Sequence, residues 1–210
     1  MRQTKVILAI AALSAMSPAF SQSSVTLYGV LDVGVNWTSN AQVATPGAPF
    51  GHTGHSQFSM SSGEMQASRW GISGVEDLGG GYKTVFKLEN GFSVNTGGFQ
   101  QGGTFWGRQA FVGVAAPWGT LTFGRQYDAL VDVFNVMQGG SGTGCFGDHP
   151  GDIDNVANNV RINNSIKFVS PTFHGAYVEG VYGMGGVAGN FNRNTVSSLC
   201  ASYSCGPLTL

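Results

Sequence analysis

Between Val25 and Trp37 the chain reads Val-Thr-Leu-Tyr-Gly-Val-Leu-Asp-Val-Gly-Val-Asn-Trp, and its odd and even positions differ in chemistry. Successive side chains of an extended strand point to opposite faces. Val25, Leu27, Leu31, Val33, Val35 and Trp37 therefore share one face, while Thr26, Asp32, Gly34 and Asn36 share the other. A strand of about 9–11 residues with one apolar face is long enough to cross a bilayer when tilted. The pattern predicts the first stave of a transmembrane barrel, and it constrains how every later segment can fold.

The segment before it reads as an export signal. Arg2 and Lys5 precede an apolar, Ala-rich run over residues 6–16, and Ala19 and Ser21 are the small residues that a signal peptidase reads. Residues 1–21 are expected to be a cleaved signal peptide, with residues 22–210 forming the barrel part. The apolar run is shorter than the roughly 18 residues of a spanning helix. A chain that enters a membrane without such a helix does so as a closed β-barrel, because hydrocarbon would leave an open sheet edge without hydrogen-bond partners.

Charged residues make up only 10% of the chain, against about 25% in ordinary soluble domains. That is too little charge to solvate a normal globular surface. The 33 glycines and 14 phenylalanines suit tight turns and aromatic girdles. A net charge of −1 gives no basic surface for nucleic acid. The three cysteines, Cys145, Cys200 and Cys205, cannot all pair, and no disulfide is expected.

No cofactor or metal is expected either. His52 and His55 have no third ligand nearby, and the run Gly147-Asp-His-Pro-Gly-Asp-Ile-Asp-Asn155 lacks the spacing and terminal Glu of a calcium loop. Gly79-Gly-Gly81 reads as a turn, since no helix with a Gly-Lys-Ser/Thr motif follows it. No Gly-x-Ser-x-Gly elbow and no His-Glu-x-x-His motif is present, so nothing points to an enzyme.

The rest of the chain continues the meander. A loop rich in Gly, Ser, His and Gln is expected up to about residue 66, then strands over 67–76 and 82–92 joined at Asp77-Leu-Gly-Gly-Gly81. Strands over 104–115 and 120–126 meet at Ala116-Pro-Trp-Gly119. A third loop runs over about 127–160, far longer than ordinary connections and therefore of functional interest. Strands over 161–170, 176–184 and 196–204 follow, and Gly206-Pro207 turns into the start of another. The expected fold is all-β, an antiparallel transmembrane meander of about eight to nine strands. It reads as the amino-terminal part of a larger barrel.

Three stretches carry a more specific likeness. Ser24-Val-Thr-Leu-Tyr-Gly-Val-Leu-Asp-Val-Gly-Val35, Ser68-Arg-Trp-Gly-Ile-Ser-Gly-Val-Glu-Asp-Leu-Gly79 and Gly119-Thr-Leu-Thr-Phe-Gly-Arg-Gln-Tyr127 together resemble the general diffusion porins of Gram-negative bacteria, those of the β-proteobacteria above all. The resemblance implies a sixteen-stranded, trimeric barrel in the outer membrane, in contact with outer-membrane lipid, whose third loop folds inward. It implies a water-filled channel for small hydrophilic solutes and ions. A surface barrel or adhesin that binds through its long loops is the alternative, and a small barrel enzyme comes third.

In the family this chain resembles, the constriction opposes arginines on the wall to acids on the inward loop. By motif the wall arginines are Arg69, Arg108 and Arg161. Alternation agrees, placing Arg69 with Gly71 and Ser73, Arg108 with Ala110, and Arg161 with Asn163 and Ser165. Lys87, Glu89 and Lys167 are further lumen-facing positions, and an adhesin would have no need of such inward charge. Where family members carry a Pro-Glu-Phe-Gly-Gly type tip, this chain has Val131-Asp-Val-Phe-Asn-Val-Met-Gln-Gly-Gly140, leaving Asp132 there and Asp148, Asp152 and Asp154 beyond it as candidate opposing acids. Guanidinium groups stay charged, and a narrow low-dielectric throat focuses their field across the solute path.

Overall fold

The computed structural model describes residues 24–42, 54–134 and 160–209. Nine strands form one antiparallel sheet: β1 (Ser24–Val30), β4 (Arg69–Gly79), β5 (Tyr82–Gly91), β6 (Gln109–Ala116), β7 (Gly119–Gln126), β8 (Ile162–Val169), β9 (Ala176–Gly183), β10 (Val196–Cys205) and β11 (Leu208–Thr209), in that spatial order. The remaining two, β2 (Val33–Gln42) and β3 (Gly54–Ser62), pair only with each other. From β4 onward each strand lies beside its neighbour in sequence, which is a meander.

Short connections fix this order. Gly80 and Gly81 link β4 to β5 with φ of +63° and +83°, and a two-residue turn with positive φ at both positions matches the right-handed twist of the flanking strands. Only glycine adopts such angles without steric cost.

The two faces of the sheet differ sharply. One continuous ladder row runs Val25, Gly74, Phe86, Val112, Phe123, Ile166, Tyr182 and Ser197 across eight strands. Val25, Val112 and Phe123 on it are 70%, 57% and 44% exposed. On the other face a row runs Val85, Gly113, Thr122, Lys167, Val181 and Ser198. Apolar side chains thus point outward and the polar face encloses the interior, the reverse of a soluble sheet packed on a core.

The interior holds a small apolar seat. After β7 the chain turns inward into a short helix, α1 (Ala129–Phe134), whose first turn is capped by Asp128 accepting from the Val131 N–H at 2.8 Å. Ala129 packs against Ile162 and Val181, with Cys200 beside them.

Four expectations are corrected by this arrangement. The stretch 25–37 is not one strand: it breaks at Leu31 and Asp32, where β1 stays in the sheet and β2 leaves it. The region up to residue 66 is not all loop, because Gly54–Ser62 forms β3, with Phe58 opposite Trp37 and Met60 opposite Val35. Residues 104–107 precede β6 rather than forming its start. The alternation assumed from Arg161 to Ser165 fails, because Asn164 has a φ of +50° and the β7–β8 register shifts beside it, so that Ile162 turns inward in place of Asn163.

The chain is clasped where β2 departs. The Ser68 hydroxyl accepts from the Asp32 N–H at 2.9 Å and donates to its carbonyl at 2.9 Å. The Asp32 carboxylate accepts the N–H groups of Glu64, Met65 and Gln66 at 3.2, 2.8 and 2.7 Å. Those backbone hydrogen bonds from Gln66, Met65 and Glu64 hold its pKa below the ordinary carboxylate range.

Candidate functional site

The inward charges form two clusters. The first is a chain of hydrogen bonds that starts on β1 and ends before β8. The Tyr28 hydroxyl donates to Glu89 Oε2 at 2.8 Å, and Arg108 Nε donates to Glu89 Oε1 at 2.7 Å. Arg108 Nη2 reaches the Tyr127 hydroxyl at 2.9 Å, and Arg161 Nη2 reaches the same oxygen at 3.0 Å. Glu89 and Arg108 are each 4% exposed and Arg161 8%. Glycine makes this reach possible: a Cβ on Gly71 would lie 2.7 Å from the Tyr28 hydroxyl.

Two more cations border this chain. Lys87 Nζ lies 5.6 Å from the centroid of the Tyr28 ring, within cation–π range. Arg69, half-buried on β4, donates to Gln66 Oε1 at 3.0 Å and to the Ala67 carbonyl at 3.2 Å. Among the described residues it makes no ion pair.

The second cluster fastens α1 to the wall. Lys167 on β8 forms an ion pair with Asp132 on α1, and a second with Glu179 on β9 at 3.0 Å. The Lys167 and Glu179 side chains are almost fully enclosed, whereas that of Asp132 is 38% exposed.

The structure therefore brings Arg108, Arg161 and Glu89 together and sets Lys87 and Arg69 beside them. Arg108 reaches this group from the segment before β6, although Ala110 lies on the outward ladder row opposite Leu88. Asp132 does face the wall, but its partner is Lys167 rather than an arginine. Asp148, Asp152 and Asp154 lie outside the described residues, as do His52 and Cys145. Cys200 and Cys205 are both free thiols.

Sequence reasoning missed Tyr28, Tyr127 and Glu179. The signals were present: an aromatic at the end of Gly-Arg-Gln-Tyr127, and one acid in the otherwise uncharged run Ala-Tyr-Val-Glu-Gly-Val-Tyr-Gly183. Their partners come from distant segments, which spacing alone does not reveal. It also missed Arg125, which donates to the Gly107 carbonyl at 2.8 Å but sits opposite Ala110, in the same outward-facing ladder position.

Residues 8–210 match the sequence model of the Gram-negative porins. An outer membrane porin protein of Bordetella pertussis is 35% identical over 183 residues, covering 81% of this chain and 46% of that protein. Outer membrane porin protein 32 of Delftia acidovorans is 31% identical over 180 residues, covering 81% of this chain and 47% of its own length. The chain thus spans about half the length of these relatives. Among solved structures, an anion-selective porin from Comamonas acidovorans superposes with a TM-score of 0.70 at 25% identity, over 90% of this chain and 55% of the other. A sheet apolar outside and charged within, a segment turned inward after β7 and a family match over nearly the whole sequence agree: this chain belongs to the Gram-negative porin family.

Proposed function

We propose that this chain supplies about half the wall of a water-filled outer-membrane channel through which small hydrophilic solutes and ions diffuse passively. The observation that carries the reading is the opposition of the two faces, an apolar row outside and the Arg108–Glu89 and Lys167–Glu179 pairs inside. The complete protein is a homotrimer whose apolar rows meet outer-membrane lipid. An adhesin would bind through its loops and would leave buried inward ion pairs without a purpose.

Arg69, Arg108 and Arg161 form the cationic side of the constriction, with Lys87 beside them and Glu89 as the acid in contact with Arg108. This excess of positive charge favours anions, and the similar porin of Comamonas acidovorans is anion-selective. Asp132 anchors the root of the inward loop. We assign the role of acids opposing the arginines to Asp148, Asp152 and Asp154, which follow α1 in the sequence.

The test uses the full-length protein in planar bilayers. Arg69→Gln, Arg108→Gln and Arg161→Gln combined should move the reversal potential under a salt gradient toward cations. The shift should shrink with salt, because the Debye length falls from about 10 Å at 0.1 M to about 3 Å at 1 M. An unchanged reversal potential in a normally assembled triple variant would overturn the constriction assignment. Absence of any conductance from the wild-type protein would overturn the channel itself.

A further inference from the structure

An apolar patch interrupts the polar interior. Val75 on β4 and Val85 on β5 lie on the same inward ladder row as Lys167, Phe111 on β6 lies inward opposite Lys87, and Val169 on β8 lies one row farther toward the β4–β5 turn. Together with Lys87 and Lys167 these residues line a recess of about 310 Å³, at the small end of the roughly 300–1,000 Å³ of ligand pockets. Apolar surface that faces a water-filled passage is favourable to cover, and a solute with an apolar body covers it.

The recess also has an uncommitted cation at its edge. Lys87 is two residues from Glu89 along β5, on the side of the Gly80–Gly81 turn, so the recess begins one ladder row from the Glu89–Arg108 pair. Lys167 is engaged by Asp132 and Glu179, whereas Lys87 makes no ion pair among the described residues and holds its ammonium over the Tyr28 ring. The acid whose charge it feels, Glu89, already accepts from Arg108 and from the Tyr28 hydroxyl.

We propose that this recess is a binding site for small amphiphilic carboxylates, with an aromatic or branched body against the valines and Phe111 and the carboxylate on the Lys87 ammonium. The proposal deepens the channel reading above and rests on it. Transport through a pore needs binding favourable enough to enter and weak enough to leave, and one partly exposed cation over an apolar floor meets both demands. A hydrophilic anion such as chloride or acetate has no body to place on the floor and diffuses past.

The experiment adds millimolar sodium benzoate to the full-length protein in a planar bilayer, at neutral pH in about 0.1 M KCl, where screening is modest, and reads the fall in conductance. In the wild type the conductance should fall along a saturating curve. Acetate, which has the charge without the ring, and benzyl alcohol, which has the ring without the charge, should give no saturable effect at the same concentrations. Lys87→Gln should raise the benzoate concentration for half effect about fivefold, as expected for loss of a partly exposed ion pair, and Lys87→Arg should bring it back near the wild-type value. Val85→Thr, which keeps the shape of the floor and adds a hydroxyl, should raise it as well. Normal conductance in KCl without a saturable benzoate effect overturns the proposal and leaves the channel reading standing. So does a benzoate curve that acetate reproduces, or a wild-type curve in either Lys87→Gln or Val85→Thr. No conductance in KCl rejects both readings. Should Lys87→Gln fail to assemble, Val85→Thr decides, and an unchanged benzoate curve in that variant overturns the proposal.

Discussion

Lys167 on β8 forms an ion pair with Asp132 on α1, and this contact fastens the first turn of the inward segment to the wall. The same ammonium also serves Glu179, which is 3% exposed. Lys167→Met leaves that buried carboxylate without its cation, at a cost of about 3–5 kcal/mol. Asp132→Asn breaks a partly exposed pair and should cost about 0–1 kcal/mol. Thermal dissociation followed by electrophoresis should rank Lys167→Met well below Asp132→Asn. Equal stability of the two would mean that Glu179 does not depend on Lys167.

Glu89→Gln removes the acid that lies against Arg108 while keeping an acceptor for the Tyr28 hydroxyl. The reversal potential should move toward anions, opposite in sign to the effect of removing arginines, and most at low salt. A shift toward cations would show that Glu89 does not contribute negative charge to the throat.

Val112 projects from the outward row and Ser73 from the inward one. Val112→Arg should cost about 2–4 kcal/mol if its position lies near the bilayer midplane, visible as loss of folding into lipid vesicles. Ser73→Arg should fold at near wild-type yield. The opposite ranking would invert the assignment of faces.

Gly80→Val forces a β-branched residue to a φ of +63° in the β4–β5 turn. The left-handed conformation costs roughly 1–2 kcal/mol for a residue with a Cβ, so refolding yield should fall. Gly80→Asn, a residue that tolerates this conformation, should largely restore it. Indistinguishable yields would show that the turn is not needed for pairing of β4 with β5.

Asp32→Ala removes the acceptor for the Glu64, Met65 and Gln66 N–H groups, and proteolysis near residues 64–66 should accelerate. The native pKa of Asp32 is depressed by those bonds, so its stabilising contribution is complete above the unfolded value of about 3.9 and fades as pH falls below that toward the native value. In the wild type, protection of this segment should decline in that window, and Asp32→Ala should abolish the pH dependence. Persistence of the dependence in the variant would assign it to another group.

Alternation and glycine turns made most of the sheet legible, because a strand exposed to different surroundings on its two faces writes a period of two into the sequence. That logic found β4 to β10 to within a few residues and set Arg69 on the same face as Gly71 and Ser73. It failed where the backbone breaks the period. Asn164, at a φ of +50°, resets the parity before Ser165, so Ile162 rather than Asn163 points inward. β3 was hidden because only Phe58 and Met60 interrupt a polar run. The Arg108–Glu89 contact was equally hidden, since it depends on which residue of β6 lies opposite Glu89, and that residue is Gln109.

β2 and β3 lie between the Asp32–Ser68 clasp and the Gly63 N–H bonded to the Asp32 carbonyl, and β3 also accepts from the segment after β5, at Ser62 from the Val94 N–H and at Met60 from the Asn95 amide, whereas the two strands pair only with one another. Ser68 is fully enclosed, so the clasp is shielded from what happens farther out. The hairpin hydrogen bonds of β2 and β3 are thereby separate from the ladder of the nine-stranded sheet, so a substitution that weakens the β2–β3 pairing should leave that ladder in register.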